Sequence, residues 1–332
     1  MFCRNSREVL FKNSSGNYLQ ENGTVGDKSS SVIVTEEVVS SRISRFKIGE
    51  KYISCILGKP SLSEIKDDST LFVCEKQLAD SPETTLYYTI GGLCLSLTNV
   101  LCCQKYSDLI LESAFEEQLY RKFSKEGIVT WQGCFYGIEI ARNKVLEKKH
   151  TRISNLFYDP IFEAFLKDET MKRLLDRVYG QKQYHLTTYS SNTLRKEDKD
   201  GRFFHVDYPY HNIPSSYPDE ILGIQVIFAL DDFTFENGAT MYVPGSHKDH
   251  KFPDKSILFC LENSKYTIVQ KGSIILYRGD IWHSQGINIT ENPRVAILAN
   301  FSPLSVLAKD DVVSHVSGSY CDFKIVDGKV LI

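Results

Sequence analysis

The 332-residue sequence has no uninterrupted apolar run of about 18 residues, the length that a membrane-spanning helix needs. Residues 1–8 contain no stretch resembling a signal peptide, and residues 330–332 are not a peroxisomal address. The nine cysteines form no C-x-x-C pair, and no histidine stands at zinc-finger spacing, a pattern typical of free thiols in a reducing compartment. We therefore expect a cytoplasmic protein with no membrane partner.

A strong excess of charge of either sign is also missing. The formal net charge is -3 at pH 7, and the isoelectric point is near 6.3. Nucleic acids and anionic membranes attract strongly basic proteins, so neither is expected as a partner here. The hydrophobic content of 42% and the charged content of 24% are ordinary for a globular protein, which indicates that the chain can form a packed core.

Residues 1–106 consist of short segments rich in strand-forming residues, separated by turns, and this pattern predicts an all-β region. Three glycines that each open a turn into a hydrophobic segment, Gly16, Gly49 and Gly91, are spaced by 33 and 42 residues. The spacing resembles the units of a β-trefoil, which would make this region a binding module for a glycan or a protein. The alternative is that such turns arise wherever short strands meet.

Residues 107–332 begin with helical periodicity and continue as strands. The pattern predicts helices over 113–127, 138–150 and 159–179, with a strand at 128–131. A strand at 184–189 is followed by the charged segment 191–202, for which a lid and a solvated loop are the two interpretations. The remaining predicted strands lie at 203–207, 222–230, 239–243, 266–269, 273–277, 282–286 and 295–301, and a last hairpin turns at residues 327–328.

Many short strands without intervening helices favour a jelly roll of cupin type, also called a double-stranded β-helix. The predicted fold class is therefore α+β and mainly β. It comprises a jelly roll with flanking helices over residues 107–332, preceded by a small all-β region over residues 1–106.

Two His-x-Asp pairs occur in the sequence, His205 with Asp207 and His247 with Asp249. Alternate residues of a strand share a face, so His205 and Asp207 would point together into the barrel if 203–207 is a strand. The second pair follows a Pro-Gly-Ser turn within a charged segment, and we assign it to a surface turn. His283, in an apolar segment, can complete a cluster of two histidines and one carboxylate, the ligand set of non-haem iron(II) oxygenases.

An arginine near such a metal can hold the far carboxylate of an oxo-acid co-substrate through two hydrogen bonds. Arg294 follows His283 by 11 residues, whereas the competing Arg278 precedes that histidine and fits a turn better.

Residues 113–303 resemble the phytanoyl-CoA dioxygenase family of iron(II)- and 2-oxoglutarate-dependent oxygenases. The motifs that carry the resemblance are residues 205–207, the Leu-Asp-Asp to Pro-Gly-Ser-His segment within 229–248, residues 279–283, Arg294, and the helix and strand within 115–131. The resemblance implies Fe(II) bound by His205, Asp207 and His283. It also implies 2-oxoglutarate held by Arg294, and O2 as second co-substrate.

Strand parity suggests further co-substrate contacts, and position near the expected metal suggests a set of substrate contacts. The co-substrate candidates are Thr187, Tyr189, Gln225 and Gln285, and the substrate candidates are Tyr208, Tyr210, His211 and Asn237. The function predicted from these features is hydroxylation of a C–H bond of a small organic substrate, with release of succinate and CO2. Two alternatives remain: an oxygenase that modifies a glycan or protein recruited by the N-terminal region, and a non-catalytic jelly-roll metal-binding protein.

Overall fold

The computed structural model of the chain describes residues 6–13, 15–22, 24–40, 43–56, 59–64, 72–76, 85–89, 94–97, 101–104, 110–113, 115–133, 135–181, 183–196, 198, 203–213, 216–253, 263–309, 324–326 and 329–331. The chain divides into two units, Met1–Gln118 and Leu119–Ile332. The first unit extends beyond residue 106 because a strand at Ile110–Ser113 pairs with the first strand of the chain.

The N-terminal unit contains twelve strands in one antiparallel sheet. In chain order they are β1 (Ser6–Lys12), β2 (Tyr18–Leu19), β3 (Val25–Gly26), β4 (Val34–Ser40), β5 (Ile43–Ile48), β6 (Lys51–Ile56), β7 (Lys59–Ser63), β8 (Phe72–Lys76), β9 (Thr85–Thr89), β10 (Cys94–Leu97), β11 (Leu101–Gln104) and β12 (Ile110–Ser113).

Strand pairing in this unit follows one pattern three times. The strands β2 and β3, β6 and β7, and β10 and β11 form three hairpins. The other strands pair in the order β12, β1, β4, β5, β8 and β9. Each group of four consecutive strands thus contributes one hairpin and two strands of a six-strand layer.

The core of the N-terminal unit is built from aromatic residues on the strands of that layer. Phe46 lies between Phe11 and Phe72, with ring centroids 5.1 and 5.6 Å apart, and all three side chains are fully buried. Gly16 and Gly49 turn the chain from the first to the second strand of the first two groups, and both have a positive φ that glycine adopts without strain. Residues 91–93 occupy the corresponding connection of the third group and lie outside the described residues.

The C-terminal unit carries three α-helices, α1 (Phe115–Glu126), α2 (Ile138–Glu147) and α3 (Glu169–Tyr179). The helix predicted over 159–179 is wrong as a single element, because a 3-10 helix occupies Pro160–Lys167 and α3 begins only after Asp168. Asp168 has an extended backbone, and its carboxylate accepts a 2.8 Å hydrogen bond from the amide of Met171. This cap gives α3 its own N-terminus. Shorter 3-10 helices occupy Leu156–Tyr158, Tyr210–Asn212 and Ser246–Asp249.

Eleven strands of the described residues belong to this unit. They are β13 (Ile128–Gln132), β14 (Arg152–Ser154), β15 (Tyr184–Leu194), β16 (Ile224–Ala229), β17 (Thr240–Tyr242), β18 (Lys265–Tyr266), β19 (Ser273–Arg278), β20 (His283–Gln285), β21 (Arg294–Pro303), β22 (Lys324–Val326) and β23 (Lys329–Leu331). Eight of them form a sheet in the order β13, β19, β16, β21, β15, β23 and β22, with β14 beside β15, and β18, β17 and β20 form a smaller sheet.

The strand β21 shows how the large sheet serves two purposes. Val295, Ile297, Ala299 and Phe301 face the core that contains residues of α1, α2 and α3, whereas Arg294, Ala296, Leu298 and Asn300 line a pocket on the other face. This alternation is the two-residue period of a strand. One face of the sheet therefore stabilises the fold, and the opposite face is left for a ligand.

Antiparallel sheets, one with its outer face covered by helices, make this unit a jelly roll with flanking helices, and the predicted fold class is confirmed. Two local predictions are wrong. Residues 191–194 belong to β15, because all four pair with β21 and residues 191 and 192 also pair with β14. Residues 197 and 199–202 of the predicted loop lie outside the described residues. Residues 203–207 are not a strand, because His205 forms only an isolated bridge with His283. No helix of the described residues is long and apolar enough to cross a membrane.

Candidate metal centre and co-substrate pocket

The two histidines of the predicted metal site are held opposite each other by their backbones. The amide of His205 donates to the carbonyl of His283 at 2.9 Å, and the amide of His283 donates back at 3.1 Å. Their ring centroids are 4.3 Å apart. This bridge joins the segment at 203–207 to β20, so residues separated widely in the chain are placed side by side.

Hydrogen bonds select the tautomer of both imidazoles. Nδ1 of His205 lies 3.0 Å from the carbonyl oxygen of Phe203, and Nδ1 of His283 lies 2.8 Å from that of Ile281. A carbonyl oxygen only accepts hydrogen bonds, so Nδ1 carries the proton in each ring. The lone pair of each Nε2 is then available to a metal, an arrangement that many metal-ligating histidines share.

The carboxylate of Asp207 completes the cluster. Its oxygens lie 3.9 Å from Nε2 of His205 and 3.5 Å from Nε2 of His283, and one ligand atom of each residue lies within 4.8 Å of the others. Burial acts to raise the pKa of Asp207, but the interactions of its carboxylate with His283, His205 and the Tyr277 hydroxyl outweigh that effect and hold the pKa well below its usual range. The carboxylate is therefore ionised at neutral pH, as a metal ligand must be. Ligand type, tautomer and spacing all fit a divalent metal.

Exposure differs among the three side chains. The side chain of His205 is 43% exposed, that of Asp207 23% and that of His283 5%. The cluster thus opens to solvent on the His205 side, where a ligand can enter.

Tyr277, which the sequence did not single out, lies against this cluster. Its hydroxyl donates to Asp207 at 3.2 Å and lies 3.4 Å from Nε2 of His283. Burial and the charge of Asp207 raise the pKa of Tyr277 well above its usual value, so the hydroxyl stays protonated and remains a donor. Tyr277 therefore orients the carboxylate.

Replacing Tyr277 by phenylalanine is expected to weaken Mn(II) binding by about tenfold, because losing a partner that orients a metal ligand typically costs that much or more. Titration of Mn(II) followed by electron paramagnetic resonance measures the affinity. Tyr242→Phe is the matched control, since Tyr242 is a buried tyrosine of the same hydrophobic cluster. Equal Mn(II) affinity in the wild type and Tyr277→Phe would contradict the orienting role.

The second His-x-Asp pair does not join this cluster, but its predicted position at a surface turn is wrong for His247. Ser246–Asp249 is a 3-10 helix in which the side chain of His247 is buried and that of Asp249 is exposed. His247 packs against Gly127, where a Cβ atom would lie only 2.6 Å from its Nδ1. The two members of the pair therefore point to different environments and cannot bind one metal.

Arg278, the competing candidate for the co-substrate arginine, is already paired with an acidic residue. Its guanidinium forms two hydrogen bonds of 2.9 and 2.7 Å with the buried carboxylate of Asp280. An arginine paired in this way is not available to a co-substrate.

Stability should depend on pH through His247. Burial, together with the charge of Arg278, lowers the pKa of His247 from 6.5 to about 4. Between these values the unfolded chain binds a proton that the folded chain does not, so the free energy of unfolding decreases as the pH falls. We expect His247 to contribute about 2 kcal/mol of the stability lost between pH 7.5 and pH 5.

Urea unfolding followed by tryptophan fluorescence measures this loss in the C-terminal unit, which contains both tryptophans. His247→Gln should lose about 2 kcal/mol less than the wild type over the same pH interval. His150→Gln, at an exposed position, is the matched control. If His247→Gln lost as much stability as the wild type, the assignment to His247 would be wrong.

Arg294 lies at the start of β21 with its side chain buried. It donates to the carbonyl of Gly238, its guanidinium stacks 4.2 Å above the ring of Phe233, and its Nε has no hydrogen-bond partner. No carboxylate of the described residues forms an ion pair with it, and burial lowers its pKa to about 10. A buried cation without a counter-ion is costly, so this guanidinium fits an anionic ligand.

The metal cluster and Arg294 line one cavity of about 270 Å³. Its floor is the inner face of the large sheet, where pocket-lining residues lie side by side in register. One row runs from Tyr277 through Gln225 and Asn300 to Thr188. The lining residues are Arg152, Thr188, Asn192, His205, Asp207, Tyr208, Gln225, Ile227, Phe233, Thr240, Tyr277, His283, Gln285, Arg294, Ala296, Leu298, Asn300 and Lys309.

Two of the four predicted additional co-substrate residues, Gln225 and Gln285, line this cavity, and the other two do not. The Tyr189 hydroxyl donates to the carbonyl of Phe162 in the helix-side core, and Thr187 donates to Asn300 at 2.7 Å. The prediction fails for Thr187 and Tyr189 because the register shifts at a bulge between Leu186 and Thr188. One extra residue reverses the faces of a strand.

Of the four predicted substrate residues, only Tyr208 lines the cavity. The hydroxyl of Tyr210 is buried and accepts the amide of Leu222 at 2.7 Å. The side chain of Asn237 closes a turn by accepting the amide of Thr234 at 2.8 Å, and His211 is exposed. The prediction is wrong for these three because proximity to the metal ligands in sequence does not decide the direction of a side chain in a loop.

The cavity also contains polar residues that the sequence did not single out, among them Thr188, Asn192 and Asn300. Asn300 lies on the same face of β21 as Arg294, three alternations further on, so strand parity counted from Arg294 was a signal that could have found it. Thr188 and Asn192 follow the bulge and had no such signal.

A jelly roll in which a cluster of two histidines and one carboxylate lies beside a buried arginine is the arrangement expected of the iron(II)- and 2-oxoglutarate-dependent oxygenases that the sequence resembles. Residues 117–296, more than half of the chain, match the family described as Phytanoyl-CoA dioxygenase (PhyH). The chain belongs to this family, which confirms the resemblance carried by the motifs.

Individual relatives cover less of the chain. An uncharacterized protein of Mycobacterium tuberculosis is 31% identical over 150 residues, which are 44% of this chain and 52% of that protein. Dioxygenase af480 of Aspergillus fumigatus is 30% identical over 151 residues, which are 43% of this chain and 46% of that protein. The chain thus spans about half the length of these curated relatives.

Among solved structures, HygX from Streptomyces hygroscopicus with nickel and 2-oxoglutarate bound aligns with a TM-score of 0.48 and 19% identity. The alignment covers 58% of this chain and 88% of that chain.

Proposed function

We propose that the chain is an iron(II)- and 2-oxoglutarate-dependent dioxygenase that hydroxylates a C–H bond of a small organic substrate, with release of succinate and CO2. The observation that carries the proposal is Arg294, a buried cation that forms no ion pair with an acidic residue of the described part of the chain, in the same cavity as the cluster of His205, Asp207 and His283. Such a cation favours a dicarboxylate co-substrate that also reaches the metal.

In this proposal His205, Asp207 and His283 hold the iron, which with 2-oxoglutarate supplies the activation of O2 that C–H hydroxylation requires. The backbone carbonyls of Phe203 and Ile281 keep each Nε2 directed at the metal position. Tyr277 holds the carboxylate of Asp207 by its hydrogen bond.

Arg294 binds the far carboxylate of 2-oxoglutarate through its guanidinium. Packing on Phe233 and donation to the Gly238 carbonyl fix the plane of that group before the co-substrate arrives. Preorganisation of this kind reduces the entropy lost on binding. Gln225 and Gln285 also line the cavity, and hydrogen bonds from the amide nitrogen of Gln225 to the carbonyls of Val226 and Ala299 fix the position of that side chain in the wall.

The size of the cavity supports a small substrate. A volume of about 270 Å³ is at the lower end of small-molecule sites, which typically have about 300–1,000 Å³. The apolar side chains of Ile227, Phe233 and Leu298 form part of its wall. These side chains limit the water that reaches the reacting carbon.

The first test measures the melting temperature with Mn(II) and 2-oxoglutarate, added singly and together. A ligand that binds only the folded state raises the melting temperature, so the pair should raise it more than either alone. Glutarate is the matched control, because it has both carboxylates and lacks the 2-oxo group. Absence of a joint rise, or of succinate formation with Fe(II) and O2, would refute the proposal.

We also propose that the N-terminal unit is a β-trefoil that binds a glycan or protein. Support comes from the threefold repeat of strand pairing and from the sequence positions of Gly16, Gly49 and Gly91, which fall between the first and second strand of each group of four. A closed six-strand barrel further requires β9 to pair with β12. Cross-strand nuclear Overhauser effects between Thr85–Thr89 and Ile110–Ser113 would support the trefoil, and their absence would contradict it. Screening the full chain on a glycan array tests the ligand.

A further inference from the structure

Two exposed cations line the cavity in addition to the buried Arg294. Arg152 lies on β14, and Lys309 lies in the segment that follows β21. Among the contacts of the described residues, neither forms an ion pair. Both side chains therefore retain their capacity to bind a negatively charged group.

The register of the sheet accounts for the direction of Arg152. Arg152 pairs with Asn192 of β15, and Asn192 pairs with Ala296 of β21. Directly paired residues point to the same face, and both partners line the cavity. Arg294 lies two strands closer to the middle of the sheet than Arg152 does, on β21, and pairs with Leu194. Two strand spacings separate the arginines by roughly 10 Å, so they serve different parts of the cavity.

Hydrogen bonds hold the segment that carries Lys309. The Leu304 amide donates to the Gln183 carbonyl at 3.1 Å, Nε2 of His185 lies 2.8 Å from the Val306 carbonyl, and the Tyr208 hydroxyl donates to the Leu307 carbonyl at 2.8 Å. Tyr208 itself lines the cavity. The backbone leading to Lys309 is therefore anchored beside the site.

Counted over the described residues that line it, the charges of the occupied cavity do not balance without a further anion. Asp207 is the only acidic residue among the described residues that line it. A divalent metal, Asp207 and Arg294 together carry two positive charges, which the dianion 2-oxoglutarate neutralises. Arg152 and Lys309 then leave an excess of two positive charges in a partly enclosed space, where charges interact more strongly than in bulk water.

We propose that the substrate carries an anionic group, a carboxylate or a phosphate, that binds to Arg152 and Lys309 at the mouth of the cavity. The inference depends on the proposed function for the identity of the ligand as a substrate. It goes beyond that function by naming the chemical class of the substrate and the residues that select it.

The test uses three aromatic probes of similar size: benzoate, phenyl phosphate and benzyl alcohol. Each is titrated into the full chain saturated with Mn(II) and 2-oxoglutarate, so that Arg294 is already occupied, and affinities are taken from the rise in melting temperature. At least one anion should bind, with benzyl alcohol at least about tenfold weaker. Whichever of the two anions binds more tightly indicates whether the substrate carries a carboxylate or a phosphate.

Variants then locate the bound anion. Arg152→Ala and Lys309→Ala should each weaken anion binding by about fivefold, and the double variant by about 20-fold, as expected for partly exposed charge pairs. Arg173→Ala and Lys265→Ala remove cations outside the cavity lining and serve as matched controls. Any of three results would overturn the proposal: no detectable anion binding, benzyl alcohol binding as tightly as the anions, or an anion affinity that is unchanged in the double variant.

The design separates this inference from the proposed function. The joint effect of Mn(II) and 2-oxoglutarate on the wild type tests the function alone. The anion titration is repeated without them, and its dependence on Arg152 and Lys309 decides the subsite in either case.

Discussion

Asp207→Ala is expected to reduce 2-oxoglutarate turnover by at least about 100-fold. Loss of a residue that merely orients a metal ligand costs about 10- to 100-fold, and Asp207 is itself the only carboxylate in the cluster. Its removal leaves two imidazoles, a weaker set for a divalent metal, and deprives Tyr277 of its acceptor. Succinate formation measures turnover, and titration of Mn(II) measures the metal affinity that should fall with it.

The other His-x-Asp pair provides a matched control for this variant. Asp249 is a carboxylate two residues after a histidine, but it is exposed and lies outside the cluster. Asp249→Ala should leave turnover and metal affinity unchanged. Histidine 247 serves less well for this purpose because its buried side chain makes a change of stability hard to separate from a change of activity. Equal loss in the two aspartate variants would mean that the metal centre is misassigned.

Arg294→Ala should raise the concentration of 2-oxoglutarate needed for half-maximal succinate formation by about 100-fold or more. Each charge-assisted hydrogen bond to a carboxylate contributes about 1.5–3 kcal/mol, and a guanidinium can form two. Mn(II) affinity should stay close to that of the wild type, because Arg294 is not a metal ligand in this site.

Two further variants sharpen the assignment to Arg294. Arg294→Lys keeps the charge but loses the bidentate geometry of the guanidinium. Its requirement for 2-oxoglutarate should therefore lie between those of the wild type and Arg294→Ala. Arg278→Lys perturbs the ion pair with Asp280 and should lower stability without changing the requirement for 2-oxoglutarate. Unchanged co-substrate affinity in Arg294→Ala would rule out the clamp.

Local sequence patterns predicted several elements of the jelly roll correctly because those elements depend on short-range periodicity. Apolar residues at helical spacing predicted a helix over 113–127, and α1 occupies Phe115–Glu126, ending before Gly127 with its positive φ. Strand β21 was predicted at 295–301 and extends from Arg294 to Pro303. The predicted helix over 159–179 failed because Asp168, a polar residue within an apolar pattern, caps a new helix instead of continuing the old one.

Local periodicity of the sequence did not predict the order of the strands in the sheets. Residues 191–193 are polar, and the place of residues 191–194 in β15 depends on pairing with β21, about 100 residues further along the chain. The hydroxyls of Ser190, Ser191 and Thr193 are buried in this strand without a hydrogen-bond partner among the described residues. Composition alone made the same residues look like a loop.

Residue types and spacing in the sequence determined the chemistry of the site. Two histidines, one carboxylate and a later arginine indicated the metal and the co-substrate that we propose, because ligand chemistry belongs to the side chains themselves. The proximity of His205 and His283 did not require residues 203–207 to form a strand. The backbone bridge between the two histidines brings their side chains together instead.

Only the tertiary structure decided which side chains share the cavity. A one-residue bulge in β15 turned Thr187 and Tyr189 away and turned Thr188 and Asn192 inward, and pairing with Asn192 brought Arg152 to the same face. Such placements depend on long-range strand register, which no local pattern encodes. The sequence therefore determined the reaction class that we propose, and the fold determined which residues we propose as selecting a substrate.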